Sequence, residues 1–245
     1  MLRAAGVSFS REGRPVLDDV NLEAPAGEMV VIEGARGAGK STLLEIAATL
    51  RRPDTGELWI ADRDVTALQR ASLPYVRRNV GYAGAAVALV SDATVIENLA
   101  LALAARGYAP APAHALVSRA LGGLGIEGLG LRRAAGLSAA EQRLVALARA
   151  LAGAPSLLIV DDPSSMMAPS DVEMVLSVLF TASAAGAAVL CASADGAFVG
   201  AAARGGARRL RLAGGRVLPA TGPIGVPGAL RPVPEVPPIR NEARP

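Results

Sequence analysis

The chain has 245 residues, 51% hydrophobic and 3% aromatic, and its 25 Lys+Arg against 22 Asp+Glu give a formal net charge of +3. That length supports one large domain, with room for two lobes and a full core. The charge is too small to argue for nucleic acid, no unbroken run of about 18 apolar residues reads as a transmembrane helix, and the polar stretch after Arg3 does not read as a signal peptide.

One cysteine, Cys191, excludes an internal disulfide and fits a reducing cytoplasm. Residues 2–32 alternate apolar runs with turn signals at Gly13-Arg14-Pro15 and Ala26-Gly27-Glu28. This predicts a small antiparallel sheet leading into a buried strand, Met29-Val30-Val31-Ile32. A glycine-rich loop and a helix over 43–48 follow. The turn Arg52-Pro53-Asp54-Thr55-Gly56-Glu57 leads to a strand at 58–60 and a second turn at 61–64. A short helix is expected over 72–78 and a strand over 80–83. Helical patterns cover 94–106 and 113–124, separated by a loop at 107–112. A third helix begins near Ser138, with Leu144, Leu147, Ala148 and Leu151 on one face. Leu157-Leu158-Ile159-Val160 is a continuous apolar strand, as a parallel sheet covered on both faces requires. A helix over 171–184, a strand at 187–191, a short helix and a strand at 209–212 close a domain expected to span 1–218. Prolines crowd residues 219–245, which read as a disordered or polyproline-like tail. Arg204, Arg208, Arg209, Arg211 and Arg216 form a basic run without an intervening acid, read as a solvated surface in preference to a contact with anionic lipid head groups.

The stretch Gly34-Ala35-Arg36-Gly37-Ala38-Gly39-Lys40-Ser41-Thr42 has the spacing G-x-x-x-x-G-K-S between strand and helix, the context of a phosphate-binding loop. Glycines let successive backbone N–H groups approach phosphate oxygens, and the helix N-terminus adds partial positive charge. Lys40 is placed to reach the β- and γ-phosphates and the Ser41 hydroxyl to sit on Mg²⁺. Lys40 is also the only lysine; every other basic residue of that count is arginine. A planar guanidinium does not replace a compact ammonium in a tight phosphate cradle. The solitary lysine is therefore internal support for phosphate binding.

Four apolar residues followed by Asp161-Asp162-Pro163 look like a Walker B strand, with Asp161 holding Mg²⁺ through water across from the loop. Leu137-Ser138-Ala139-Ala140-Glu141-Gln142-Arg143 and the helix after it resemble the L-S-G-G-Q/E signature of ATP-binding-cassette (ABC) ATPases. Leu17-Asp18-Asp19-Val20-Asn21-Leu22 and Pro53-Asp54-Thr55-Gly56-Glu57-Leu58 are similar to that family in the same order. The resemblance covers residues 2–218. It implies an α/β P-loop NTPase fold, with a RecA-like core on a parallel sheet, an N-terminal antiparallel β subdomain and a helical subdomain over about 86–150. It implies ATP and Mg²⁺ as cofactors and a homodimer, or a heterodimer with a related ATPase, that sandwiches two nucleotides. It further implies an integral-membrane permease-like partner and a cytoplasmic place on the inner face of the membrane. Residues 34–42 of one chain and Ser138 of the other would then bind ATP, Ser41 and Asp161 would hold the metal, and Asp162 is the candidate base. Arg77-Arg78-Asn79-Val80-Gly81-Tyr82 and Leu89-Val90-Ser91-Asp92-Ala93-Thr94-Val95-Ile96-Glu97-Asn98 resemble the small bacterial branch that includes the cell-division ATPase FtsE and the lipoprotein-release ATPase LolD.

Against the family pattern several positions depart. The two signature glycines are Ala139 and Ala140, whose methyls obstruct close approach to a γ-phosphate. The catalytic glutamate is Asp162, one methylene short, and position matters steeply in water activation. The switch histidine falls at Ala194, the glutamine-loop position at Ala85 and the D-loop aspartate at Ala168. The sole histidine, His114, reads as a solvated loop residue. The adenine-stacking aromatic would lie near Ser10 or Arg11, with Phe9 as a substitute. The preferred reading is an ATP-binding subunit of an envelope complex with impaired hydrolysis. The alternatives are a pseudo-ATPase scaffold or regulator that keeps ATP as a structural ligand, and a fully active transporter ATPase. A P-loop kinase would leave the signature-like helix without a purpose.

Overall fold

Two adjacent residues of positive φ, Glu12 (51°) and Gly13 (75°), close the first hairpin. A two-residue turn of this kind matches the twist of its strands. It joins β1 (Leu2–Arg11) to β2 (Arg14–Ala24), so Arg14 and Pro15 begin a strand instead of forming the turn. This computed structural model describes residues 1–220; the tail expected over 219–245 lies outside them beyond its first two residues. β4 (Thr55–Ile60) pairs with β1 and β5 (Arg63–Asp64) with β4, giving an antiparallel sheet in the order β2-β1-β4-β5. The start of β4 replaces part of an expected turn. At Gly56 the backbones of β1 and β4 come so close that a Cβ would sit 2.3 Å from the Gly6 carbonyl oxygen. Glycine there marks close contact within a strand, not a bend away from it.

The central sheet has the order β10-β9-β3-β8-β7-β6. Its strands are β3 (Met29–Glu33), β6 (Val80–Ala83), β7 (Leu157–Asp161), β8 (Ala188–Ser193), β9 (Arg208–Ala213) and β10 (Arg216–Pro219). All neighbours are parallel except β10, which runs antiparallel to β9. β10 has no counterpart among the expected elements. It is anchored from outside, by Arg216 on Asp18 at 2.8 Å and by the Asp18 N–H on the Gly215 carbonyl at 2.9 Å.

Strand alternation divides two cores. Val31, Leu158, Val160, Val189 and Cys191 pack against the helical side, whereas Val30, Ile32, Leu157, Ile159, Leu190 and Ala192 pack toward β1, β2, β4 and the first helix. Each of the Val, Leu and Ile side chains among them, buried on folding, contributes about 1.5–3 kcal/mol. The helices are α1 (Lys40–Ala47), α2 (Leu73–Arg77), α3 (Val95–Ala105), α4 (Pro110–Gly123), α5 (Ala139–Leu151), α6 (Pro169–Ala184) and α7 (Gly196–Arg204). α4 starts inside the expected loop because Pro110 and Pro112 fall in a first turn, where no N–H is needed. His114 therefore lies on a helix, and it is exposed. Thr94 with Glu97 and Ser138 with Glu141 form capping boxes that start α3 and α5.

Most of the basic run is ion-paired, partly through a shared acid. Arg209 and Arg211 meet Glu33 at 2.8 and 3.1 Å, and Arg208 meets Glu28 at 3.6 Å. Among the described residues no helix is long and apolar enough to cross a membrane.

Candidate nucleotide site

β3 delivers the glycine loop to α1. Gly39, the N-cap, has φ 100°, and a Cβ there would lie 3.0 Å from the Val16 carbonyl oxygen. A glycine is needed for both reasons. No side chain caps α1 and its first turn holds no acid, so its leading N–H groups face the loop without a competing anion. Lys40 is 9% exposed, and its ammonium donates to the Gly34 and Ala35 carbonyls at 2.7 and 2.8 Å. An ammonium has three donors, so one remains for a ligand. Burial lowers the Lys40 pKa, Asp161 and Asp162 oppose that, and Arg36 adds to it.

Asp161 ends β7, 4% exposed, with Oδ2 buried and without a hydrogen-bond partner. Burial raises its pKa; the Ser41 hydroxyl and Lys40 oppose the rise, and Asp162 and Glu45 reinforce it. A buried carboxylate with one orphaned oxygen, within reach of a serine hydroxyl and a lysine, fits a divalent cation. Among the described residues no cluster of three His, Cys, Asp or Glu could hold a metal unaided. A cation here would draw its remaining ligands from phosphate and water, as Mg²⁺ does. Tyr82 on β6 is pushed up to about 12, first by burial and then by Asp161 and Glu45, so it stays a neutral phenol.

Asp162 follows with φ 52°, in the left-handed region. Its N–H donates to Ala192 at 2.8 Å, and its Oδ1 accepts from the Ser193 hydroxyl at 3.1 Å. Ser193 was missed by the sequence reading, which looked one residue on, at Ala194; Ala194 is exposed. Phe9 does not serve as a base-stacking ring: it is 9% exposed in the core beneath the Arg51 guanidinium, 5.0 Å from the ring centroid. Arg11, at the expected aromatic position, instead donates to Thr42 Oγ1 at 3.4 Å.

Ser138 is bound up in its own cap. Its N–H donates to Glu141 at 2.7 Å, and its oxygen accepts from the Glu141 N–H at 3.3 Å. Ala139 beside it is exposed and Ala140 half-buried, at the open N-terminus of α5. Ala85 is exposed, and its carbonyl accepts from Arg143 at 3.2 Å; the Ala88 carbonyl accepts from Arg149. Two arginines on α5 thus hold the loop after β6. Ala83, Gly84, Val87, Arg143, Asp161 and Met167 line part of a small cleft beside it. Ala168 is the N-cap of α6, with no side-chain bond.

A strand–glycine loop–helix cradle with an acid at the end of a parallel strand two places away in the sheet, beyond β8, defines a P-loop nucleotide-binding protein. The comparisons make this more specific. The family model for ABC transporters matches residues 17–165. The cell division ATP-binding protein FtsE of Escherichia coli strain K12 is 32% identical over 75% of this chain and 82% of its own length. The methionine import ATP-binding protein MetN of Mannheimia succiniciproducens is 36% identical over 66% of this chain but only 47% of its own. The dimeric structure of the bacterial ABC transporter cassette MJ0796 superposes with a TM-score of 0.82 at 27% identity, covering 89% of this chain and 96% of that one. The chain belongs to the ABC transporter family, and its fold is the ABC ATPase fold: a largely parallel core sheet, an antiparallel β subdomain and a helical subdomain.

Proposed function

We propose that this chain is the ATP-binding subunit of an ABC-type cell-envelope complex of the FtsE/LolD-like branch, working as a dimer on a membrane-embedded permease-like partner and hydrolysing ATP weakly. It would lie peripherally on the inner face of the cytoplasmic membrane. The observation that carries the reading is the buried Asp161 carboxylate, its Oδ2 orphaned, within reach of Ser41 and of a Lys40 with one donor to spare. Residues 34–42 would cradle the phosphates through backbone N–H groups and Lys40. Ser41 and Asp161 would hold Mg²⁺, which when bound neutralises phosphate charge. A similar solved cassette was captured as a dimer with ADP and Pi, at 27% identity. In such a dimer Ser138 would face the partner's nucleotide.

Weak hydrolysis follows from what the side chains lack. Methyls at Ala139 and Ala140 stand at the α5 N-terminus, and Ala194 and Ala85 present no polar group. Losing the γ-phosphate contacts and the switch side chain together removes on the order of 4 kcal/mol of transition-state stabilisation, about a thousandfold in rate. The test is nucleotide binding with and without Mg²⁺, followed by single-turnover hydrolysis, on the full chain alone and with its membrane partner. Mg²⁺-dependent ATP binding with slow turnover is expected. Absence of binding refutes the reading; turnover at rates normal for such ATPases refutes its weak-hydrolysis half.

A further inference from the structure

Asp161 and Asp162 are adjacent, yet different parts of the fold hold them. Asp161 sits in the β7–β8 ladder opposite Ala192 and faces the loop helix. Asp162 has left the strand. Its positive φ is strained for a non-glycine residue, and the bond from its N–H to the Ala192 carbonyl keeps the backbone there. That bend places Oδ1 on the Ser193 hydroxyl.

Ser193 is 0% exposed, and its oxygen accepts the Asp195 N–H at 3.0 Å. With that lone pair engaged, the hydroxyl proton is directed to Asp162. Asp195 is itself fixed, since its Oδ1 accepts the Ala197 N–H at 2.9 Å as the N-cap of α7. The start of α7 thus holds Ser193, and Ser193 holds Asp162. No hydrogen bond among the described residues engages the other oxygen of Asp162, and the carboxylate is close enough to act on the charge of Lys40. A glutamate would carry its carboxylate one methylene beyond the reach of this hydroxyl.

We propose that Ser193 is a positioning residue for Asp162: it immobilises one carboxylate oxygen so that the other is presented to the attacking water, in a site where the neighbouring Ala194 supplies no polar group. This rests on the proposed hydrolytic reading. In the step it serves, a water oxygen attacks the terminal phosphorus, the water proton passes to the free oxygen of Asp162, and the bond to the leaving ADP oxygen breaks. Fixing the base removes misaligned conformers, an effect on rate and not on ATP affinity.

ATP affinity and single-turnover hydrolysis on the full chain test it, with wild type, Ser193→Ala, Ser193→Thr, Asp162→Asn and the Ser193→Ala/Asp162→Asn double variant. Ser193→Ala is expected to slow hydrolysis about tenfold, the scale of one hydrogen bond to a charged group, with ATP affinity unchanged within about twofold. Ser193→Thr keeps the hydroxyl and should recover most of the rate. In the Asp162→Asn background, removing the Ser193 hydroxyl should change nothing further. Ser193→Cys, of similar size with a poorer donor, makes the same comparison where the alanine variant melts below the assay temperature. Unchanged hydrolysis in both the alanine and cysteine variants overturns the proposal. So does an equal tenfold loss with and without the Asp162 carboxylate, which would make Ser193 a support for β8 and α7 only. A wild-type chain that binds no ATP overturns the functional reading itself, whereas one that turns ATP over and ignores Ser193 overturns this role alone.

Discussion

The phosphate cradle and the rim around it are built on different terms. In the cradle the groups proposed to bind are backbone N–H groups, one ammonium held by two loop carbonyls, the Ser41 hydroxyl and the Asp161 carboxylate, placed by β3, α1 and β7. At the rim, which a dimer would complete with the signature of the other chain, they would be side chains, and there the chain presents Ala85, Ala139, Ala140, Ala168 and Ala194. Backbone groups come with the fold, while side chains at loop and helix ends can be trimmed without disturbing a core. A site can therefore keep the geometry for binding while losing much of the chemistry for turnover.

The sharpest way to break this contrast is Lys40→Ala. It should weaken ATP binding by a hundredfold or more, about 3 kcal/mol, since a charge-assisted phosphate contact has no substitute here. Titration calorimetry checks this, and a circular-dichroism melt checks that the fold survives. Equal affinity in the two proteins would mean the cradle does not bind ATP.

Rebuilding the rim sharpens the contrast from the other side. Ala194→His should raise single-turnover hydrolysis by about tenfold, and adding Ala139→Gly with Ala140→Gly should raise it further and more than additively, because the groups converge on one transition state. Asp162→Glu alone should add little, because it breaks the contact with Ser193. Flat rates across the series would show that the rim is not what limits hydrolysis.

A third prediction concerns the joint between helical lobe and core. The half-buried Arg106 guanidinium donates to the carbonyls of Val80 (3.1 Å), Ala150 (3.3 Å) and Ala152. Arg106→Ala strands those acceptors and should lower unfolding stability by about 2–4 kcal/mol, read from urea denaturation. The smallest effect is in acid. Backbone N–H and hydroxyl groups of Thr94 and Ser138 hold Glu97 and Glu141 below the ordinary carboxylate range. Folded pKa values below the unfolded ones mean that this stability is present above about pH 4.5 and is lost as pH falls through the folded values. Melts between pH 6 and pH 3 should show wild type losing slightly more than a Glu97→Gln/Glu141→Gln variant.

The sequence alone determined what depends on neighbours within a few residues. The loop at 34–42 was legible because strand, glycines and lysine stand in one short stretch, and β3 and β7 because strands buried on both faces must be apolar throughout. Asp161 was legible because it ends such a strand. Only tertiary structure decided the contacts that reach across the chain. Ser193 meets Asp162 across 31 positions, Arg143 meets Ala85 across 58, and Arg209 meets Glu33 across 176. Likewise only packing set Phe9 under Arg51 and turned most of a basic run into ion pairs. A hydrogen bond of this kind joins a common side chain to a carboxylate or carbonyl, leaves no periodicity, and exists only once sheet order brings its partners together.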